Sequence, residues 1–140
     1  MITKKIIIGG FVAGVIYFLL GWLMYGKFLR DFFHQNATVQ VDRPDDQIIF
    51  WALIAGNLLM GLLIAFIVVK TNSTSFSSGM ATGIVVGLLM SAGFDLVMYG
   101  TANILNLNAV GADIATATII TAIAGGVVGA ISGARVGTTS

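Results

Sequence analysis

The amino-acid sequence predicts an all-α membrane protein, with four transmembrane helices gathered into a compact bundle. Three observations carry that expectation. Apolar stretches of roughly 20 residues, enough to cross a hydrocarbon core of about 30 Å, alternate with polar connections. Of the 140 residues, 57% are hydrophobic and 9% charged, with a mean hydropathy of +0.98. A soluble domain carries about 25% charged residues. Glycine is the third sign: 18 glycines accompany one proline, and many stand four residues apart, which lines them along one side of a helix. The chain reads as one integral membrane domain, 1–140, with spans near 6–26, 47–69, 79–99 and 113–132.

The first span follows Lys4 and Lys5. Its basic start resembles a signal peptide, but the apolar run is long for one and no small-x-small cleavage site follows, so it reads as a retained span. Gly10 and Gly14 form a GxxxG pair and Gly21 extends the small side. Trp22 and Tyr25 fall at the far end, where amphipathic rings favour the headgroup zone.

The connection 26–46 holds Lys27, Arg30, Asp31, Asp42, Arg43, Asp45 and Asp46. In its first part Phe28, Leu29, Phe32 and Phe33 alternate with charges and His34, as suits a segment lying in the interface. The chain then turns at Pro44, and Asp45 or Asp46 is placed to cap the second span. Within that span Ala52, Gly56, Gly61 and Ala65 give a small side, while Asn57 near mid-depth is expected to point inward, away from lipid.

Read every fourth residue, the third span gives Gly79, Gly83, Gly87, Ser91, Asp95 and Tyr99, a packing face that ends in a carboxyl and a phenol. Asn103 extends this line if the helix continues past Gly100. Asp113 stands at the start of the fourth span as an expected N-cap. Thr121, Gly125, Gly129, Gly133 and Gly137 repeat the glycine row, and Arg135 closes the span.

Lys4, Lys5, Lys70 and Arg135 fall on one side of such a bundle and Lys27, Arg30 and Arg43 on the other. The four lie tight against span ends, which predicts that both termini are cytoplasmic. There is also a weak internal repeat. Leu23-Met24-Tyr25-Gly26 parallels Val97-Met98-Tyr99-Gly100, and Ile54-Ala55-Gly56 parallels Ile123-Ala124-Gly125. Two like helical hairpins related about the membrane normal would produce it.

Several chemistries are excluded by composition. No cysteine is present, so thiolate metal sites, disulfides and cysteine nucleophiles are ruled out. His34 is the only histidine and there is no glutamate, which leaves no zinc set or catalytic triad within one chain. A net charge of +1 provides no nucleic-acid surface. No cofactor is expected. The partners expected are the lipid bilayer and another copy of the chain or a second membrane protein.

The run Gly21-Trp22-Leu23-Met24-Tyr25-Gly26-Lys27-Phe28-Leu29, followed by three more spans, resembles the DUF1761-type family of small four-span bacterial membrane proteins. Leu23 and Met24 stand here between the Trp and Tyr that are adjacent in that family. The resemblance implies a bacterial inner membrane and carries no activity or functional residue with it.

Asp95 is the one ionisable group well inside a span on this reading, and such groups mark functional sites by default. One expectation makes it a proton- or cation-handling carboxyl beside Tyr99, Asn57 and Asn103. The other pairs it with Lys27, Arg30 or Tyr99 as packing glue. The first function class expected is a non-enzymatic scaffold or accessory subunit, held together by the faces of Gly10, Gly14, Gly56, Gly79, Gly83, Gly87, Ser91, Gly125, Gly129 and Gly133. The second is a small oligomeric transporter or channel built around Asp95. No nucleophile, base and oxyanion donor converge, so an enzyme is not expected.

Overall fold

The computed structural model describes residues 2–139, with side chains through Ala134. Arg135 and Gly137, expected to close the last span and its glycine row, lie outside the residues whose packing is described. The elements are α1 (Ile2–Leu23), a π-helical turn (Met24–Phe28), α2 (Arg30–Asn36), a 3₁₀ turn (Asp45–Gln47), α3 (Phe50–Lys70), α4 (Phe76–Thr101) and α5 (Leu107–Thr139). Four segments are long and apolar enough to cross a membrane: Ile2–Phe28, Phe50–Lys70, Phe76–Thr101 and Leu107–Ala134. Large side chains such as Phe11, Leu59, Phe66, Leu89, Phe94 and Val97 face outward along them. A surface of that kind suits hydrocarbon, not water. The protein is an all-α helical bundle with the make-up of an integral membrane protein.

Local chemistry sets the helix ends. At the start of α4, Ser75 and Ser78 form a reciprocal capping box, each hydroxyl accepting from the other's backbone N–H at 3.1 Å. At the end of α3, Asn72 takes a left-handed φ of 56°. The Ser73 amide then reaches back to the Val68 carbonyl at 3.0 Å and the Asn72 amide to Val69 at 3.1 Å. This double closure is a Schellman motif, with asparagine in the position glycine usually takes. It turns α3 into α4 within a few residues.

Two expected caps are corrected. Asp45 and Asp46 do not cap α3: they fall in the 3₁₀ turn that follows Pro44, and Ile49 precedes the helix without a side-chain cap. Asp113 does not cap the last helix either, because α5 begins at Leu107. Its first turn is capped by Asn106, whose Oδ1 accepts from the Ala109 amide at 2.9 Å.

The helices pack as two intimate pairs, α1 with α3 and α4 with α5. α5 is the central element, touching α1 and α3 as well, while α4 leans chiefly on α5. The apolar core lies between the pairs and consists of Ala13, Ile64, Ala65, Val68, Val69, Ala124 and Val128. Across it the Tyr17 hydroxyl donates to Thr121 Oγ1 at 2.8 Å, tying α1 to α5.

Within each pair, backbones meet where glycine removes the side chain. A Cβ on Gly10 or Gly14 would meet the Cα of Leu62 at 3.0 Å or of Leu58 at 2.9 Å, and Gly61 faces the Gly10–Gly14 backbone. Gly79 lies against Gly125 and Gly129, Gly83 against Thr121 and Ala122, and Gly87 against Thr118 and Thr121. Gly129 reaches Ser75 and Gly133 reaches Thr74. Ser91, next along the row on α4, turns its hydroxyl back to the Gly87 carbonyl. Gly56 is a correction: nothing lies within 4 Å of the Cβ position, and the same holds for Gly21. The pairing of α1 with α3 uses Gly61 and the backbone near Asn57, which turns Gly56 outward.

Candidate functional site

Among the described residues the one buried carboxyl, Asp95, lies toward the end of the α4–α5 seam away from the α3–α4 turn. Asp95 stands six residues before the end of α4 and Asp113 six residues into α5. At about 1.5 Å per residue each is roughly 9 Å from its helix end. The antiparallel packing that sets Gly83 on Thr121 and Gly87 on Thr118 carries Asp95 up to Asp113. The two side chains are close enough for each carboxyl to act on the other. Asp95 is 8% exposed, and its Oδ2 has no hydrogen-bond partner among the described residues. A hydrogen bond between two carboxyls requires that one of them carry its proton, because two carboxylates have only acceptors.

Tyr25 completes the group from the π-helical turn after α1. Its hydroxyl donates to the Asp113 backbone carbonyl at 3.5 Å, and its ring packs on Phe33 of α2 with centroids 5.4 Å apart. The π-helical turn brings it there: the Leu29 amide bonds the Met24 carbonyl at 2.7 Å, five residues back, which shifts the helix end out of the ordinary register.

A cavity of about 100 Å³ adjoins Asp95. Phe94, Met98 and Tyr99 of α4 line it with Leu105 and Val110, and Ile104 closes its roof. Above it a wider open crease of about 440 Å³ runs along Tyr99, Gly100, Thr101, Ala102, Asn103 and Leu105. Tyr99 and Leu105 belong to both. The roof is held by a strap between two loops. Ala37 pairs with Leu105 as a short antiparallel bridge, the Thr38 amide bonds the Ile104 carbonyl at 2.7 Å, and the Asn106 amide bonds Asn36 at 3.1 Å. Asn106 Nδ2 donates to Asn36 Oδ1 at 2.8 Å, and the Thr38 hydroxyl donates to the Asn103 carbonyl.

Several expected members of the site lie elsewhere. Lys27 sits over the Trp22 ring at 4.9 Å, and Arg30 pairs with Asp45 at 3.2 Å on the exposed surface. Neither reaches Asp95, so pairing with either as packing glue is set aside. Asn57 is also corrected: its amide donates to the Leu53 carbonyl of its own helix at 2.8 Å, away from the carboxyls. Asn103 contributes a backbone carbonyl to the strap, and α4 ends before it at Thr101. Tyr99 does line the cavity but is 44% exposed. His34 pairs with Asp42 at 3.3 Å, well outside the site.

The member that sequence reasoning missed is Asp113, with Tyr25 behind it. A helix-length count would have found Asp113 if Asn106 had been taken as the cap, since the four-residue row Asp113, Ala117, Thr121, Gly125 continues the α5 packing face upward. Among the described residues no group of three or more His, Asp or Glu side chains is placed to hold a metal ion. Comparison of the chain with protein-family models, with curated proteins and with solved structures finds no match in any of the three.

Proposed function

We propose that this is a small membrane carrier that takes up a proton at the Asp95–Asp113 pair. The observation that supports it is a carboxyl 8% exposed, facing a second carboxyl and an apolar cavity, with no basic side chain beside it among the described residues. Placing ionisable groups at membrane depth is costly, and a pair of acids is a poor choice of glue. A packing role would be served better by an Asn or a Lys partner. Tyr25 is the third polar group near the pair, and its hydroxyl reaches the Asp113 backbone carbonyl without adding charge.

The proposed setting is a bacterial inner membrane with both termini in the cytoplasm, as Lys4, Lys5 and Lys70 at one end favour. This puts the carboxyl pair toward the periplasmic side. The proposed kinship with the DUF1761-type family fits that setting and adds no activity. Below the site the core is filled by Ala13, Ile64, Ala124 and Val128, which leaves little room for a conduit inside one chain. The partner proposed is therefore a second copy, completing the route across the bilayer.

The scaffold reading receives less support. The glycine faces that would have received another chain are occupied within this one: Gly79, Gly83 and Gly87 by α5, and Gly10 and Gly14 by α3.

Proteoliposomes holding a pH-sensitive dye, with a potassium gradient and valinomycin to impose a potential, test the proposal. The wild-type chain is expected to pass protons, and Asp95→Asn or Asp113→Asn to reduce that flux at least tenfold while the protein still assembles. Flux equal to that of empty liposomes, or unchanged in both variants, would overturn it.

A further inference from the structure

The cavity beside Asp95 has features that a bare proton site does not need. It holds about 100 Å³, room for roughly three waters at ~30 Å³ each, yet Asp95 and Tyr99 are joined in its lining only by the apolar residues Phe94, Met98, Ile104, Leu105 and Val110. Water in such a space has few polar partners. A metal cation fares no better, since hard cations demand six or more oxygen ligands and the walls do not supply them. An organic cation asks for something else: one negative charge, apolar walls and aromatic faces. Asp95 provides the first, Met98, Leu105 and Val110 the second, and Tyr99 the third.

The route in is also present. The outer crease shares Tyr99 and Leu105 with the cavity, so the two spaces adjoin at these residues, which are the partition between them. A cation of four or five heavy atoms that passes them reaches Asp95 without crossing the bundle.

We infer that the Asp95 cavity binds a small monovalent organic cation, of the ammonium or guanidinium class, entering from the outer crease and displacing the proton held between the two carboxyls. The inference rests on the proton-carrier reading and extends it to exchange. The step balances: a carboxyl O–H bond breaks, its proton leaves to bulk water through the crease, and the cation becomes counter-ion to the carboxylate left behind. The net charge of the site is the same before and after, which lets one ion replace the other in a low-dielectric setting. The titratable groups facing Asp95 are Asp113 from α5 and Tyr25 from the π-helical turn after α1, with Tyr99 on its own helix.

The full chain in detergent, in weakly buffered solution, is titrated with tetramethylammonium chloride, with guanidinium chloride and with sodium chloride. Heat of binding and dye-reported proton release are read together. The expected result is binding of the two organic cations with about one proton released per cation, and at least tenfold weaker binding of sodium. Asp95→Asn is expected to abolish both signals. Leu105→Trp, which fills the partition, should weaken tetramethylammonium binding at least tenfold. Tyr99→Leu keeps apolar bulk but removes the aromatic face, and a loss of about threefold is expected there. Sodium binding as tightly as tetramethylammonium, binding without proton release, or indifference to both Leu105→Trp and Tyr99→Leu would each overturn the inference. Proton flux without organic-cation binding overturns it alone, whereas absence of wild-type flux overturns the carrier reading beneath it.

Discussion

Tyr25 and Tyr99 stand at the centre of the same Met-Tyr-Gly phrase at the ends of two spans, yet only Tyr25 turns its hydroxyl inward, toward the Asp113 carbonyl. Tyr99 stays 44% exposed at the partition between crease and cavity. The difference is one of backbone register. α1 ends in a π-helical turn that displaces its last residues, whereas α4 runs as regular helix to Thr101. Such turns recur at functional sites because they re-aim a side chain without breaking the helix.

Glycines of identical spacing should respond in opposite ways to the same methyl group. In Gly83→Ala the new Cβ meets the Ala122 Cα at 2.9 Å and the Thr121 carbonyl carbon at 3.0 Å, both backbone atoms that cannot step aside. Overpacking of that kind costs about 1–3 kcal/mol, against a helix-propensity gain of about 1 kcal/mol. Gly56→Ala meets nothing within 4 Å and keeps only the gain. Thermal unfolding in detergent is expected to fall for the first and to hold or rise for the second.

Tyr17→Phe removes the 2.8 Å hydrogen bond that joins the two helix pairs and leaves Thr121, 4% exposed, without it. Interhelical bonds of this sort contribute about 0.6–1.7 kcal/mol. Thr121→Val should cost a similar amount, and the double variant no more than either single. Strictly additive losses in a double-mutant cycle would show that the two residues act separately.

Asn106→Ala strikes two structures at once, the cap of α5 and the strap to Asn36. Loss of the cap alone costs about 1 kcal/mol. Faster hydrogen exchange is expected at Ala109, Thr38 and Asn106 itself, with the α1–α3 pair unchanged. A uniform change across all helices would mean that the strap is not a local device.

Arg30→Ala and Lys27→Ala serve as controls on the carboxyl pair. Arg30 forms an exposed pair with Asp45, worth less than about 1 kcal/mol, and Lys27 sits on Trp22. Proton flux in liposomes should be within about twofold of wild type for both. A collapse of flux in Arg30→Ala would put that guanidinium back beside Asp95.

The spans were legible in the sequence because burial in lipid leaves an unmistakable composition, and the glycine rows because a helix repeats near every fourth residue. Spacing does not say which side of a helix meets its neighbour, and Gly56 is where that gap shows: it shares the row with Ala52, and both face outward. Asp95 stood out as an isolated acid, but its partner did not. Asp113 lies beside an apolar run, which reads as a cap, and the real cap, Asn106, is hidden among Asn103 and Asn108. Lys27 and Arg30 were attractive as partners because charge and nearness in depth are visible in a sequence, while the cation–π seat on Trp22 and the ion pair to Asp45 are not. The strap left no periodic trace, being one bridge between two polar loops.

The dependence of α4 on α5 has a consequence for biosynthesis. α4 has few contacts with the two earlier spans and spends its glycine face on the helix that follows it. During translation it enters the bilayer before that partner exists, with its narrow side turned to lipid and Asp95 uncovered. Entry of α5 into the bilayer is the moment at which the acid is first shielded. A chain arrested near Asn106 would therefore be expected to present itself to quality-control proteases, and pulse-chase decay of such truncations would time the docking of the last helix.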